Sequence, residues 1–157
     1  MGVTFSYELT GRGWAECSVR IGENVTRVTA SYLHDALADL VSATGAALRG
    51  HPAASASFAE EPGEYRWILE PRADGQVRVR VLEFPEFGGG KPDDEGIVLL
   101  DRECRLRTFA GAIVSELQRL EAKHGQEGYR RLWVQHEFPA ERLVELQGLL
   151  KGAGGGV

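Results

Sequence analysis

The sequence predicts an α+β domain of about six antiparallel strands, in the order βββ-α-βββ-α-α, with the helices packed on one sheet face. Three observations carry that prediction. Two blocks, over 3–30 and 65–106, alternate apolar and polar residues with the period of a strand. Each block is followed by segments whose apolar residues recur at steps of three and four. Most loops within the blocks are short, which makes consecutive strands antiparallel neighbours.

The first strand sets Val3, Phe5, Tyr7 and Leu9 against Thr4, Ser6 and Glu8, and Thr10-Gly11-Arg12-Gly13 supplies the turn. The second carries Ala15, Cys17, Val19 and Ile21 on one face. A loop made of Glu23-Asn24 sets Ile21 opposite Thr26, Val19 opposite Val28 and Cys17 opposite Ala30, so all six share a face. Ser31 is placed to cap a helix whose stripe runs Leu33, Ala36, Leu37, Leu40, Val41, Thr44, Ala47 and Leu48. Gly50, His51 and Pro52 end it.

In the second block Tyr65, Trp67 and Leu69 alternate with Arg66, Ile68 and Glu70. A two-residue loop at Asp74-Gly75 would put Leu69 on the face of Arg80. A three-residue loop ending in a left-handed Gly75 instead sets Leu69 opposite Val79, Trp67 opposite Val81 and Glu70 opposite Arg78. The second register keeps each face uniform. Residues 85–96, rich in Gly, Pro and acids, read as a mobile loop. Ile97 to Leu106 follows as a strand with Val98, Leu100, Cys104 and Leu106 on one side, interrupted by Arg102, which suggests a bulge or an edge. Thr108 is placed to cap a second helix with Phe109, Ala112, Ile113, Leu117 and Leu120 inward, ending near Gly125. Tyr129 to Val134 fits helix or extended chain. Pro139 suits the first turn of a third helix with Leu143, Leu146 and Leu150 inward. Residues 1–151 form one domain in this reading, and 152–157 a flexible glycine-rich tail. The pattern leaves open whether the strands make one sheet or two.

The chain has 157 residues, 43% hydrophobic and 26% charged, enough to bury a core without disulfides or metals. Its net charge of −5 argues against a dedicated nucleic-acid binder. No apolar run approaches a membrane span, and the first residues lack the basic-then-apolar pattern of a secretory leader. The expectation is a cytoplasmic protein with reduced thiols at Cys17 and Cys104, which form no CxxC pair.

Catalytic and cofactor motifs are incomplete. Gly88-Gly89-Gly90-Lys91 has Pro85 where a phosphate loop needs its first glycine, and Pro92 where it needs the metal-binding hydroxyl. Asp93-Asp94-Glu95 lacks the alternating spacing of a calcium loop. His34, His51, His124 and His136 form no ligand pair, and no GxSxG elbow occurs. Tyr129-Arg130-Arg131-Leu132-Trp133 could stack single-stranded nucleic acid, but reads better as aromatics packed inward beneath solvated arginines. No cofactor and no metal are expected.

Two surface features remain. Glu83, Glu86, Asp93, Asp94 and Glu95 against Lys91 give −4 of the net −5 within thirteen residues. The registers also align Arg20, Arg27, Arg66, Arg78, Arg80, Arg105 and Arg107 with Glu8, Glu16, Glu70, Asp101 and Glu103 on the outward sheet face. The reading is a non-catalytic protein-binding domain such as an inhibitor, an antitoxin-like neutraliser or an adaptor. Its candidate contacts are Glu83, Glu86, Asp93, Asp94, Glu95, Arg66, Arg78, Arg80, Arg105 and Arg107. The alternative is a small enzyme or ligand binder whose site forms only on folding, with polar groups drawn from Tyr65, His34, Glu64 or His136.

Overall fold

The computed structural model describes residues 2–134 and 136–155. They form β1 (Val3–Gly11), β2 (Trp14–Ile21), β3 (Asn24–Ser31), α1 (Ala36–Leu48), β4 (Ala54–Ala59), β5 (Glu64–Pro71), β6 (Gln76–Phe84), β7 (Ile97–Arg105), α2 (Leu106–Trp133) and α3 (Ala140–Gly155). Of the expected tail, 152–157, the backbone as far as Gly155 belongs to α3; Gly156 and Val157 lie outside the described residues, as do the side chains of 153–155.

The strands divide into two antiparallel sheets, β1-β2-β3 and β4-β5-β6-β7. Their inner faces share one core with the three helices, where Phe5 meets Trp67 and Tyr7 meets Phe58 edge-on, at centroid distances of 6.2 and 6.4 Å. Val77, Val79 and Val81 point into that core and are fully buried. The strand absent from the sequence reading is β4. Its run Ala-Ser-Ala-Ser-Phe-Ala buries Ala56 and Phe58, but alanine and serine give too little contrast to show a period.

The register of β5 and β6 is the expected one, with Trp67 opposite Val81, Leu69 opposite Val79 and Glu70 opposite Arg78. Gly75 has φ +75°, and Asp74 beside it is also left-handed. The β2–β3 pair differs from expectation by two residues: Val19 faces Thr26, Cys17 faces Val28 and Ala15 faces Ala30. The loop is Gly22-Glu23, with Gly22 at φ +61°, the place a type II′ hairpin gives glycine. A shift of two preserves the side-chain period, so the buried set is unchanged.

Two helix starts move. Ser31 ends β3, fully buried, and its hydroxyl donates to Glu61 Oε1, so α1 begins only at Ala36 and leaves Leu33 exposed. α2 follows β7 directly at Leu106, which puts Thr108 within its first turn, and continues past Gly125. That glycine, at φ 68° and ψ 168°, breaks the helical path and lets the last turns fold Tyr129 and Trp133 into the core. The irregularity of β7 lies at Leu99, where Val81 and Leu82 pair with Leu100 and Val98, and Arg102 sits on the edge. This bulge turns Val98, expected inward, out to solvent.

Helices close two sheet edges through carboxylates. Glu116 of α2 accepts the Tyr7 N–H of edge strand β1 at 2.7 Å, and Asp39 of α1 accepts the Ser57 N–H of edge strand β4 at 2.8 Å. Each edge amide thereby gains a charged acceptor and is withdrawn from pairing with another chain.

Candidate functional site

The division into two sheets splits the outward face in two. Glu8, Glu16, Arg20 and Arg27 lie on the first sheet, while Arg66, Glu70, Arg78, Arg80, Asp101, Glu103 and Arg105 lie on the second. Arg107 belongs to neither. It sits in the first turn of α2 and donates to the Leu150 carbonyl at 2.7 Å.

On the second sheet the arginines are engaged within the molecule. Arg78 grips Asp101 through two hydrogen bonds, Nε to Oδ1 at 2.8 Å and Nη2 to Oδ2 at 2.7 Å. Arg80 donates to Glu70 at 2.7 Å, while the directly opposed Arg78–Glu70 pair is longer at 3.8 Å. The guanidinium of Arg78 holds the Asp101 carboxyl below the usual carboxylate range. Arg105 is exposed at the end of β7, with no ion pair among the described residues.

Arg66 does something the sequence did not suggest. Its side chain, only 15% exposed, lies over the Phe84 ring at 4.1 Å and donates to Glu64 Oε2, to the Lys91 carbonyl at 2.8 Å and to Asp93 at 2.9 Å. It therefore pins the 85–96 loop onto the outer face of the second sheet. Beneath the loop Ile68, Leu82 and Phe84 form a second small core. Gly96 closes the fit: a Cβ there would stand 2.7 Å from the Phe84 ring. At the other end of the loop the Phe87 N–H donates to the Pro62 carbonyl at 2.7 Å, and the Phe87 ring packs on His34 at 5.7 Å. The loop expected to be mobile is tied at both ends.

The acids of this region consequently differ. Asp93 faces Arg66 and Glu83 is half-buried beside Tyr65, whereas Glu86, Asp94 and Glu95 are exposed. The β4–β5 turn adds Glu60 and Glu61 to the same end. A cleft there is lined by three acids, Glu60, Glu83 and Glu95, and one base, Lys91, with Phe84 and Ile97 among its apolar groups. Large apolar side chains stand among these acids, with Phe87, Ile97 and Val98 exposed by 40%, 63% and 58%.

Three of the four groups named for an enzyme lie near one another without meeting directly: His34 and Glu64 are linked through Asp39 and Ser57, and His136 Nδ1 stands 3.8 Å from Asp35, which also acts on His34. Tyr65 meets Thr29 and Glu83, His34 meets Asp39 at 3.1 Å, Glu64 meets Ser57 and Arg66, and His136 donates to the Tyr32 carbonyl at 3.0 Å. No two of the four share a hydrogen-bond partner. Asp39 raises the His34 pKa, and burial raises that of Asp35. Both cysteines are buried, which pushes the Cys104 thiol up to about 11 and the Cys17 thiol well above its ordinary value. Tyr129 and Trp133 are fully buried, so neither can stack a base. Among the described residues no group of His, Cys, Asp and Glu could hold a metal ion, and no helix is long and apolar enough to cross a membrane.

The geometry defines a two-sheet α+β domain with charged outer faces and an acidic end. No family model matches the sequence, and no curated protein matches it. Among solved structures the chain is similar to one from the CdiA-CT/CdiI toxin and immunity complex from Enterobacter cloacae, at 14% identity and a TM-score of 0.49, over 74% of this chain and 98% of that one.

Proposed function

We propose that this chain is a protein-binding domain whose contact surface is its acidic end, formed by the 85–97 segment and the β4–β5 turn. One observation carries the reading: Glu86, Asp94 and Glu95 project from a loop anchored through Arg66 and Phe87, around exposed Ile97 and Val98. Exposed apolar groups within a charged rim follow the anatomy of protein interfaces. Anchoring lowers the ordering cost that a free loop would bring to association. The partner surface is basic, with an apolar contact at its centre. Of the two surfaces expected from sequence, the arginine face of the second sheet is the weaker candidate, because Arg66, Arg78 and Arg80 already hold carboxylates. Asp93 likewise acts as an anchor for the loop.

The test is affinity capture from the source cell at low and moderate salt, followed by association kinetics with the captured protein. Replacing Glu86, Asp94 and Glu95 by Ser lowers the association rate about tenfold at low salt and flattens its salt dependence. Ile97→Ser with Val98→Ser accelerates dissociation instead. Rates unchanged by both sets of substitutions would reject this surface.

A further inference from the structure

The outer face of the first sheet carries a second surface. Its cross-strand rows are Thr4–Arg20–Val25, Ser6–Ser18–Arg27 and Glu8–Glu16–Thr29. Among the described residues, the helix side chains with ion pairs to this face are Arg119 and Lys123 of α2, both at Glu8 on its β1 edge. Small serines sit at the centre with longer groups around them, so the face is a trough. One cleft of about 540 Å³ is lined by Ser6, Glu16, Ser18, Arg27, Thr29 and Tyr65 among others. A second, of about 320 Å³, shares Ser18 and Arg27 and adds Thr4, Arg20 and Val25.

The trough is electrically polar along its length. Arg20 lies in one end row and Arg27, its diagonal neighbour, in the central row, and neither has an ion pair among the described residues. Glu8 and Glu16 oppose each other at the other end, a like-charge pairing that costs stability. Arg119 at 2.8 Å and Lys123 at 3.3 Å neutralise Glu8, which leaves Glu16 as the free negative charge.

We propose that this trough docks an extended protein segment of mixed charge, with its acid against Arg20 and Arg27 and its base against Glu16. Arg20 and Glu16 lie four residues apart on β2, about 13 Å at roughly 3.3 Å per residue. That is the reach of an acid and a base separated by three residues in an extended peptide. A nucleic-acid strand carries one sign of charge throughout and would run into Glu16. A second copy of this chain satisfies the charges under a twofold, but the face spans only about 10 Å across its three strands. It falls well short of the ~800 Å² per partner of a stable dimer, and two troughs face to face would leave both floors untouched. The extended segment meets charge, reach and shape together. This surface shares no lining residue with the cleft of the acidic end, which it adjoins through Tyr65 and Glu83.

The experiment titrates the isotope-labelled full chain with blocked pentapeptides and follows backbone amide shifts. The mixed peptide Glu-Ser-Gly-Ser-Lys moves the amides of Ser6, Ser18, Arg20 and Arg27, and the effect fades with added salt. Glu-Ser-Gly-Ser-Glu binds about fivefold more weakly. Arg20→Thr with Arg27→Thr removes the preference, and Ser18→Phe, which fills the floor, abolishes shifts from either peptide. Replacing Glu86, Asp94 and Glu95 by Ser leaves the shifts unchanged, so failure here and failure of the acidic-end reading are distinguishable. Oligouridylate acting on the same amides as strongly as the mixed peptide would overturn the proposal in favour of nucleic acid. A dimer in sedimentation that Arg20→Thr with Arg27→Thr dissolves would overturn it in favour of a second copy. Absence of shifts at millimolar peptide would overturn it outright.

Discussion

The outer faces of the two sheets both display arginines, yet they behave as opposites. On the second sheet Arg66, Arg78 and Arg80 each reach a carboxylate on a neighbouring strand or on the loop folded over it. On the first sheet the residue opposite Arg20 is Val25 and the residue opposite Arg27 is Ser18, and although Glu16 is diagonal to Arg27, neither arginine forms an ion pair among the described residues. A count of arginines cannot separate a face that holds itself together from one that is available to a partner. The register does, because it decides which side chain each guanidinium meets first.

Glu64 is the carboxylate on which the second face depends most. It is buried, and its Oε2 accepts both the Ser57 hydroxyl at 2.9 Å and Arg66 Nε at 3.3 Å. Glu64→Ala leaves a largely buried guanidinium short of its innermost partner, a loss of about 3 kcal/mol. Thermal melting reads it as a fall in Tm of roughly 10 °C. A change smaller than that of a surface substitution would mean that the second face is not organised around this carboxylate.

Arg66→Ala comes next and tests the anchor itself. Its loss costs about 2 kcal/mol through the stacked and hydrogen-bonded guanidinium. The more telling readout is local. Amide exchange over residues 88–95 accelerates while that of β5 and β6 stays slow, because the loop opens without unfolding the sheet. Uniform acceleration across the domain would instead make Arg66 a general stabiliser.

The Arg78–Asp101 pair is half-exposed, and its double-mutant coupling is about 0.5–1 kcal/mol, near the top of the surface range because the contact is bidentate. Its pH dependence has a definite sign. Arg78 lowers the folded pKa of Asp101, so the pair's contribution is fully present above the unfolded carboxylate value of about 3.9 and disappears as pH falls through the lower folded value. Arg78→Ala therefore flattens the acid limb of the stability curve. An acid limb that stays unchanged would show that the pair adds nothing in solution.

Much of this architecture was legible in the chain. The β5–β6 register followed from one glycine and the demand that faces stay uniform, and the buried stripes of α1 and α2 followed from their periods. What stayed hidden needed contacts between distant segments. The break between sheets depends on β3 and β4 not pairing, and β4 itself has serine and alanine where a period should show. The acidic loop looked free because Arg66 lies 25 residues from Lys91 and 27 from Asp93, and no local pattern announces that closure. The trough was invisible for a simpler reason. Ser6 and Ser18 read only as polar positions, and their smallness matters once Arg27, Glu8 and Glu16 stand around them.

Arg20→Thr and Arg27→Thr change stability by no more than about 0.5 kcal/mol each, since exposed side chains without partners lose nothing on removal and threonine suits a strand. Equilibrium denaturation of both variants beside Arg78→Ala checks this directly. If the first-sheet arginines prove as costly to remove as Arg78, they have partners in solution and the trough loses its free positive charge. If they prove neutral, their presence on an otherwise small-residue face is unexplained by folding, which is the condition a recognition surface must meet.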